Sequence, residues 1–513
     1  MNTSGSIALL TVLAGVGAFA QLPSAAPSSS APSAAILPSS GRNNQSGAVG
    51  IAEQPVAGTT TSVNTLNPSV QISGPYSGSA RSTTALPFSG KLSLADALRR
   101  GLAFNLGAIG MMQSARQSSG QVKVSRSALL PNVTASLSEN VEQVDLATFG
   151  LHFSVPGYAI PAVAGPFNYF ALQASLSQMV ANMTSINNYR SARATARASQ
   201  YNLEDARDLV TLAVGGAYLQ VLAAQARVDA AQAQLTTANA VFHQSTEQHA
   251  EGVLGRLNVD QNQVRTLTQQ QQMITLRNDL AKQKINLARI AGLPPNPNYE
   301  LTDTFPFRPA PVQSVDAALA AAEKQRADLK AAQAQVEAAQ KALAAARAER
   351  LPSISVSGDY ELVGNLSDSH GAFAVVGTMS VPIWQGGRIS GDIAQAQSVL
   401  AQRKAELEDT RGAIEAEVRQ VYLDLQAAAG QVEVARKNLQ VAQETLEMTR
   451  ARMEAGVINT LEVVQAQETV SSAQLDLIDS IFAHNLAKLN LARALGHATD
   501  QIPTLLQAQP RTP

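Results

Sequence analysis

Cysteine is absent from all 513 residues. That excludes disulfides, thiolate metal sites, cysteine nucleophiles and an acylated N-terminal cysteine; it fits an export route without establishing one. Aromatic residues are scarce at 4%, with a single Trp, although 45% of the chain is apolar. Alanine, the best helix former, carries much of that apolar fraction, which suits thin helical packing better than a thick globular core. Neither sign of charge dominates: 38 Lys+Arg against 39 Asp+Glu leave a net charge of −1. Such a chain has no electrostatic footprint for nucleic acid, and no nucleic-acid partner is expected. The six histidines (His152, His243, His249, His370, His484, His497) show no metal-ligand spacing, and no HExxH, GxSxG or phosphate-loop pattern occurs. The expectation is therefore no catalytic site, no cofactor and no metal, so that energy for any transport comes from a partner.

Long hydrophobic runs are also missing. Residues 7–20 form an apolar run of roughly 14, shorter than the ~20 a spanning helix needs. It ends in Ala18-Phe19-Ala20, the small-x-small pattern of signal-peptide cleavage, so residues 1–20 read as a signal peptide. No Lys or Arg precedes Arg42, which departs from the usual basic start. A buried helix or a misplaced start is the alternative. No other run reaches spanning length, so any membrane segment is expected to be β.

Residues 21–90 are rich in Ser, Ala, Pro and Gly and almost uncharged. Such a stretch buries too little apolar area to offset chain entropy and is expected to be disordered. Order is expected from "KLSLADALRRGLAFNL", where Ser93 can cap a helix and Asp96 can complete a capping box.

From there one plan is written twice. Val214, Tyr218, Leu219, Val228, Leu235 and Phe242 recur 204 residues later as Val418, Tyr422, Leu423, Val432, Leu439 and Leu446. "NLARIAG" (286–292) closes the first copy and "NLARALG" (490–496) the second; "SLADAL" (93–98) and "SVDAAL" (314–319) open them. The openings are 221 apart, so the first copy carries roughly 17 extra residues after its first strand. The expected domains are a first repeat over 91–292, a proline-rich connector over 293–313, a second repeat over 314–496 and a tail over 497–513.

Within each copy the period changes from helix to strand and back. After Pro131, Val133, Ala135, Leu137 and Val141 alternate with Thr134, Ser136 and Ser138; after Pro352, Ile354, Val356, Tyr360 and Leu362 alternate with polar residues. Phe170, Leu172, Ala174 and Leu176, then Phe373, Val375, Met379 and Val381, mark the partner strands. Period two over ~10 residues is the pattern of a transmembrane barrel, although a half-buried soluble hairpin alternates identically. Four strands cannot close a barrel, and an open edge in lipid strands backbone groups. Spanning strands would then have to be pooled, eight from two chains or twelve from three.

Helical pattern runs from about 185 to Gly252 and from about 387 to Gly456, or ~100 Å each at 1.5 Å per residue. Apolar residues recur every seven: Val214, Val221, Val228, Leu235, Phe242, and Val418, Leu425, Val432, Leu439, Leu446. Three residues on sit Ala217, Ala224, Ala231 and Ala238, then Val421, Ala428, Ala435 and Ala442. The heptad imposes left-handed supercoiling and the small residues allow close helix approach. A further stripe (Ala223, Ala226, Ala230, Ala233, Ala240) suits helices with two neighbours, as in a tube wall, whereas a two-stranded coiled coil needs only the heptad. Lys437 and Glu444 interrupt the matching stripe of the second copy.

These residues, with "RADLKAAQAQVEAA" (326–339), "VPIWQGGR" (381–388) and the glycine turns "EGVLGRLNVDQNQ" and "AGVINTLEVVQAQ", resemble the TolC-like outer membrane efflux proteins over about residues 88–497. The resemblance implies a mainly α fold with membrane β. Long helical hairpins form an α-barrel, and four strands per chain join a shared twelve-stranded β-barrel in a homotrimer. It implies an outer-membrane location in a Gram-negative-type cell, with a helical periplasmic domain. Its implied function is a passive duct for tripartite efflux or type I secretion, working with a periplasmic adaptor and, through it, an inner-membrane pump. Outer-membrane lipid is the other partner. The resemblance further implies that an adaptor docks at the hairpin tips, here Gly252, Val253, Leu254, Gly255, Arg256 and Leu257, with Gly456, Val457, Ile458, Asn459, Thr460 and Leu461. Pore-constricting acidic positions correspond to Asn258, Asp260, Glu462 and Gln465. Asn258 and Gln465 stand where members carry Asp, which implies a weakly negative ring. Phe167, Tyr169, Phe170, Tyr360 and Phe373 are expected as interface girdles. The competing readings are a periplasmic adaptor, which carries one hairpin between lipoyl-like halves, and a structural coiled coil, which lacks the strands.

Overall fold

The structure is a computed structural model that describes residues 47–56, 65–80, 88–145, 148, 163–294, 298–304, 307–310, 314–365, 368–455, 457–458, 460–496, 498–506 and 509–510, all within the unit Gly47–Pro513. The expected signal peptide (1–20) lies outside them. Within the stretch 21–90, expected to be disordered, residues 47–56 and 65–80 hold ordered structure. Strands β1 (Val49–Val56) and β2 (Thr65–Ile72) pair antiparallel, Val49 opposite Ile72. Val49 is buried, and Ile51, Val70 and Ile72 pack onto the main core. The hairpin lies so close to a helix at Gly216 that a Cβ there would come within 2.4 Å of Val70. Averaging over a polar stretch conceals these few alternating apolar residues.

The chain continues as β3 (Lys91–Leu92), α1 (Leu94–Phe104), α2 (Leu106–Ser127), β4 (Asn132–Asp145), β5 (Val163–Ala181), α3 (Met183–Ala250) and α4 (Arg256–Ala291). Next come β6 (Glu300–Leu301), β7 (Asp303–Thr304), α5 (Val315–Gln325), α6 (Ala327–Ala348), β8 (Ser353–Asn365) and β9 (Asp368–Ser380). It ends with α7 (Arg388–Glu454), α8 (Thr460–Ala494), α9 (Ala498–Leu506) and β10 (Gln509–Pro510). Element lengths recur: α1 and α5 have 11 residues, α2 and α6 have 22, α3 and α7 have 68 and 67, and α4 and α8 have 36 and 35. The extra residues of the first half fall between β4 and β5, as the changed offset predicts. Ser93 caps α1, its hydroxyl accepting from the Asp96 N–H at 3.1 Å. In the described parts of the connector and tail, β6 pairs with β3, β7 pairs with β10, and Ile502 and Leu506 of α9 are buried in the core.

The heptad positions face inward. Val214, Val221, Val228, Val418, Leu425 and Val432 are buried, as are Ala217, Ala224, Ala231, Ala238, Val421, Ala428, Ala435 and Ala442. The main core surrounds Tyr218, whose hydroxyl donates to the Leu92 carbonyl at 3.1 Å; a second core surrounds Val418, Tyr422 and Leu491. By length and composition α3 is apolar enough to cross a bilayer, contrary to expectation, but its stretch from Val210 to Leu219 is buried among neighbouring helices and reads as core. Between α5 and α6, Arg326 donates to both Asp328 oxygens (3.0 and 2.6 Å) and to Glu417 of α7 (2.5 Å), and Arg493 of α8 donates to the same Glu417. The "RADL" motif thus ties three helices by charge-assisted bonds.

His484 on α8 is 1% exposed, lies 4.7 Å from the Phe307 ring between centroids, and has no partner for either ring nitrogen. Burial first, and then the charge of Lys488, push it down to about 4 from 6.5. A histidine held neutral favours the fold above its unfolded pKa, and this contribution is lost as pH falls from about 6.5 through about 4. Asp205 works oppositely, pushed up to about 6 by burial. We therefore expect His484→Gln to lose less thermal stability than the parent between pH 7 and pH 4, by up to about 3 kcal/mol. Parallel melting curves that keep a constant gap would refute this. At Ala231, 2% exposed beside Val228 and Met273, Ala231→Leu should cost about 1–3 kcal/mol by overpacking, measured by thermal unfolding.

Candidate functional site

The first long hairpin turns through a glycine cap. At the end of α3 the chain stops at Glu251, and Gly252 takes φ +78°, a conformation glycine adopts without a Cβ penalty. The Gly252 N–H donates to the His249 carbonyl (3.0 Å) and the Val253 N–H to the Gln248 carbonyl (2.9 Å). This pair of bonds is a Schellman cap, which satisfies the last carbonyls and lets the helix end abruptly. The Leu254 carbonyl accepts from or is met by His249 Nδ1 at 2.7 Å, and Gly255 precedes the first turn of α4. Val253 (74% exposed) and Leu257 (70%) stand out from the turn, Leu254 is half-buried and Arg256 is exposed.

The described residues of the second turn share the outer bond of that cap. The Ala455 N–H donates to the Ala451 carbonyl and the Val457 N–H to the Arg452 carbonyl, both at 3.0 Å. Val457 is 65% exposed and Ile458 half-buried. Gly456 and Asn459 lie outside the described residues, as do the side chains of Thr460 and Leu461. Among the expected constriction residues, Asn258 is half-buried in the first turn of α4 and Asp260 is exposed, 3.8 Å from Arg256 Nε. Glu462 and Gln465 are exposed on the first turns of α8.

Behind the tips the hairpins close by side chain-to-backbone and side-chain bonds. Thr266 donates to the Ala238 carbonyl (3.2 Å), and Arg277 to Gln232 (2.9 Å). A cavity of about 180 Å³ lies between the hairpins, lined on one side by Gln234, Arg265 and Gln269 and on the other by Arg450, Glu468 and Gln474. Burial pushes the Arg265 guanidinium down, opposed by the charge of Glu468. Sequence reading missed Arg265 and Glu468, because a pair drawn from different hairpins leaves no spacing along the chain.

At the other end of the helices the four long strands form one antiparallel sheet in the order β4-β5-β8-β9. Its register places Ala135, Ala174, Tyr360 and Phe373 in one row and Leu137, Leu172 and Leu362 in the next. The opposite face carries Thr134, Ser175 and Asp359, then Ser136, Gln173 and Glu361. One face is thus apolar and the other polar, as the alternation predicts. Val133, Leu137 and Val141 of β4, and Phe373, Val375 and Met379 of β9, are highly exposed. The girdle expectation is corrected in part: Phe170, Tyr360 and Phe373 share the apolar face, but Phe167 and Tyr169 have the opposite parity. They stack at 6.2 Å on the polar side, where the Tyr169 hydroxyl donates to Glu142. Val381 falls beyond the end of β9.

Two long helical hairpins continue from a four-stranded sheet that is apolar on one face, and this defines the class of the protein: an antiparallel sheet extended by long helices. The chain belongs to the outer membrane efflux protein family, whose model matches residues 111–293 and again 318–497. It is 26% identical over 323 residues to the pyoverdine export outer membrane protein OpmQ of Pseudomonas aeruginosa, covering 60% of this chain and 65% of that one. It is 22% identical to the outer membrane protein TolC of Vibrio cholerae, over 74% of this chain and 85% of that one. Among solved structures, the CmeC outer membrane channel of Campylobacter jejuni superposes with a TM-score of 0.67 at 17% identity, covering 81% of this chain and 89% of that one.

The caps make one local test. A Cβ at Gly252 meets nothing within 4 Å, so Gly252→Ala should cost only the left-handed backbone strain, about 1–2 kcal/mol. Amide exchange should quicken at Val253 and Leu254; unchanged exchange there would refute the cap assignment.

Proposed function

We propose that three copies of this chain form a passive outer-membrane duct, each contributing four strands to a common twelve-stranded barrel. The observation that carries this is the sheet. β5 and β8 are paired on both sides, whereas β4 and β9 each have one partner and expose apolar side chains on one face. In lipid an unpaired strand edge costs several kcal/mol per backbone group, so β9 of one copy has to meet β4 of the next. Twelve strands leave room for a pore where eight fill with side chains. The helices follow the same order, since α2 packs on α3, α3 on α6 and α6 on α7, so copies joined through the sheet continue as a wall of helices.

In this reading the tips are the docking surface. Val253, Leu257 and Val457 offer exposed apolar contacts beside turns whose backbone is already satisfied by the caps, a rigid target for an adaptor's helical hairpin. Glu462, Gln465, Asn258 and Asp260 stand one turn or so inside and would form the constriction. Adaptor engagement would part the hairpins, and substrate would diffuse outward, driven by an inner-membrane pump. The named relatives support this setting: OpmQ is a pyoverdine export protein and TolC an outer membrane protein. The family is one of transport channels rather than enzymes.

In detergent the unheated protein should migrate as a trimer that boiling converts to single chains. In planar bilayers the parent should conduct weakly, and Glu462→Ala combined with Arg265→Ala should raise the open probability several-fold by loosening the tip. A stable monomer that never conducts, with or without the substitutions, would sink the proposal.

A further inference from the structure

The junction between β9 and α7 projects apolar surface that nothing in the chain covers. Ile383 is 95% exposed and Trp384, the sole tryptophan, 86%. The turn is not loose. Arg388 donates to Gln385 (3.1 Å, from Nε) and to Glu349 at the end of α6 (2.7 Å), so the segment is braced against the helix that leads into β8.

Charge is sorted along the sheet around this point. None of the four long strands contains Lys or Arg. Their carboxylates (Glu139, Glu142, Asp145, Asp359, Glu361, Asp368) lie toward the ends away from the helices, and the helix-side halves carry no charge. Immediately beyond the helix-side ends come exposed arginines: Arg126 in the last turn of α2, Arg347 in the last turn of α6 and Arg350 before β8. None of these three makes an ion pair among the described residues. A charge-free apolar band, then a Trp, then unpaired arginines is the order met on leaving hydrocarbon for a layer of anionic headgroups.

We propose that Ile383 and Trp384, together with Arg126, Arg347 and Arg350, form a collar that seats the helix end of the sheet in an anionic phospholipid headgroup layer. This rests on the barrel reading above. The indole and the isoleucine enter the acyl boundary while the guanidiniums bind phosphate. Charge complementarity singles out this partner: Arg126, Arg347 and Arg350 are exposed beside a band that carries no charge, and none of them makes an ion pair among the described residues.

Trp384 is its own reporter, so the unmodified full-length chain can be tested. Trimers are reconstituted into phosphatidylcholine bilayers with or without phosphatidylglycerol, using lipids brominated near the headgroup or near the chain end. We expect shallow bromines to quench the emission about two-fold or more and deep bromines clearly less. Phosphatidylglycerol should strengthen shallow quenching in the parent but not in Arg126→Gln/Arg350→Gln. An intact trimer whose emission no bromolipid quenches overturns the collar and leaves the barrel standing. Equal quenching with and without phosphatidylglycerol overturns the headgroup assignment. A chain that never forms membrane-inserted trimers overturns both.

Discussion

Backbone pairing between β5 and β8 is the seam on which the architecture depends. It runs antiparallel from Phe170 opposite Gly364 to Ala181 opposite Ile354, and it is the point where the two halves of the chain share a sheet. Each half supplies only a two-stranded hairpin, which is marginal alone in water. Joined at the seam, they make four strands with β4 and β9 outermost, and the helices entering and leaving those strands take the matching order. The two central strands lead to and from α3 and α6, which pack side by side. The positions of α2, α3, α6 and α7 thus follow the strands they adjoin, and β4 and β9 are the edges left with one partner among the described residues.

The two halves are alike in plan and different in burial. α3 lies between α2 and α6 and also meets α1, α4, α8 and α9, and its stretch from Val210 to Leu219 is buried all round. α7 packs chiefly on α5, α6 and α8, and its buried residues form a narrow heptad seam with exposed Val434, Val441 and Met448 beside it. In α3, Ala223 and Ala230 are buried, Ala223 beside Phe482 of α8, whereas the matching Ala427 and Val434 of α7 are exposed. Lys437 and Glu444 match Ala233 and Ala240, which are exposed as well, so burial within the chain does not account for the interrupted stripe.

Much of this was legible from residue order, for definite physical reasons. The strands and long helices announce themselves because apolar residues must follow the period of the element that buries them, and the heptad residues Val214, Val221 and Val228 do. The tip caps are legible because only glycine sits easily at φ +78°. What was not legible depends on distance in the chain. The hairpin of β1 and β2 was hidden in polar sequence, since its few apolar residues gain meaning only from the groove that Gly216 opens in α3. The faces of Phe167 and Tyr169, by contrast, were legible: simple alternation sets them opposite Phe170, and the irregularity between Glu142 and Val144 lies beyond them. The Arg326–Glu417–Arg493 link and the Arg265–Glu468 encounter join helices far apart in sequence, and no spacing rule reports them.

The distribution of polar groups follows from where motion is needed and where it is not. Midway along α7, Arg326, Asp328, Glu417 and Arg493 form a cluster of charge-assisted bonds in which Arg493 Nε is left without a partner, and breaking one of the bonds would leave a buried charge at the full desolvation cost. Toward the tips Gln234 and Gln269 each leave a buried carbonyl oxygen without a partner, and Arg256 and Asp260 meet only at 3.8 Å in solvent. In the proposed reading, the charge cluster midway along the helices would hold the hairpins together while their tip ends part at smaller cost, which is the mechanical condition for a gate.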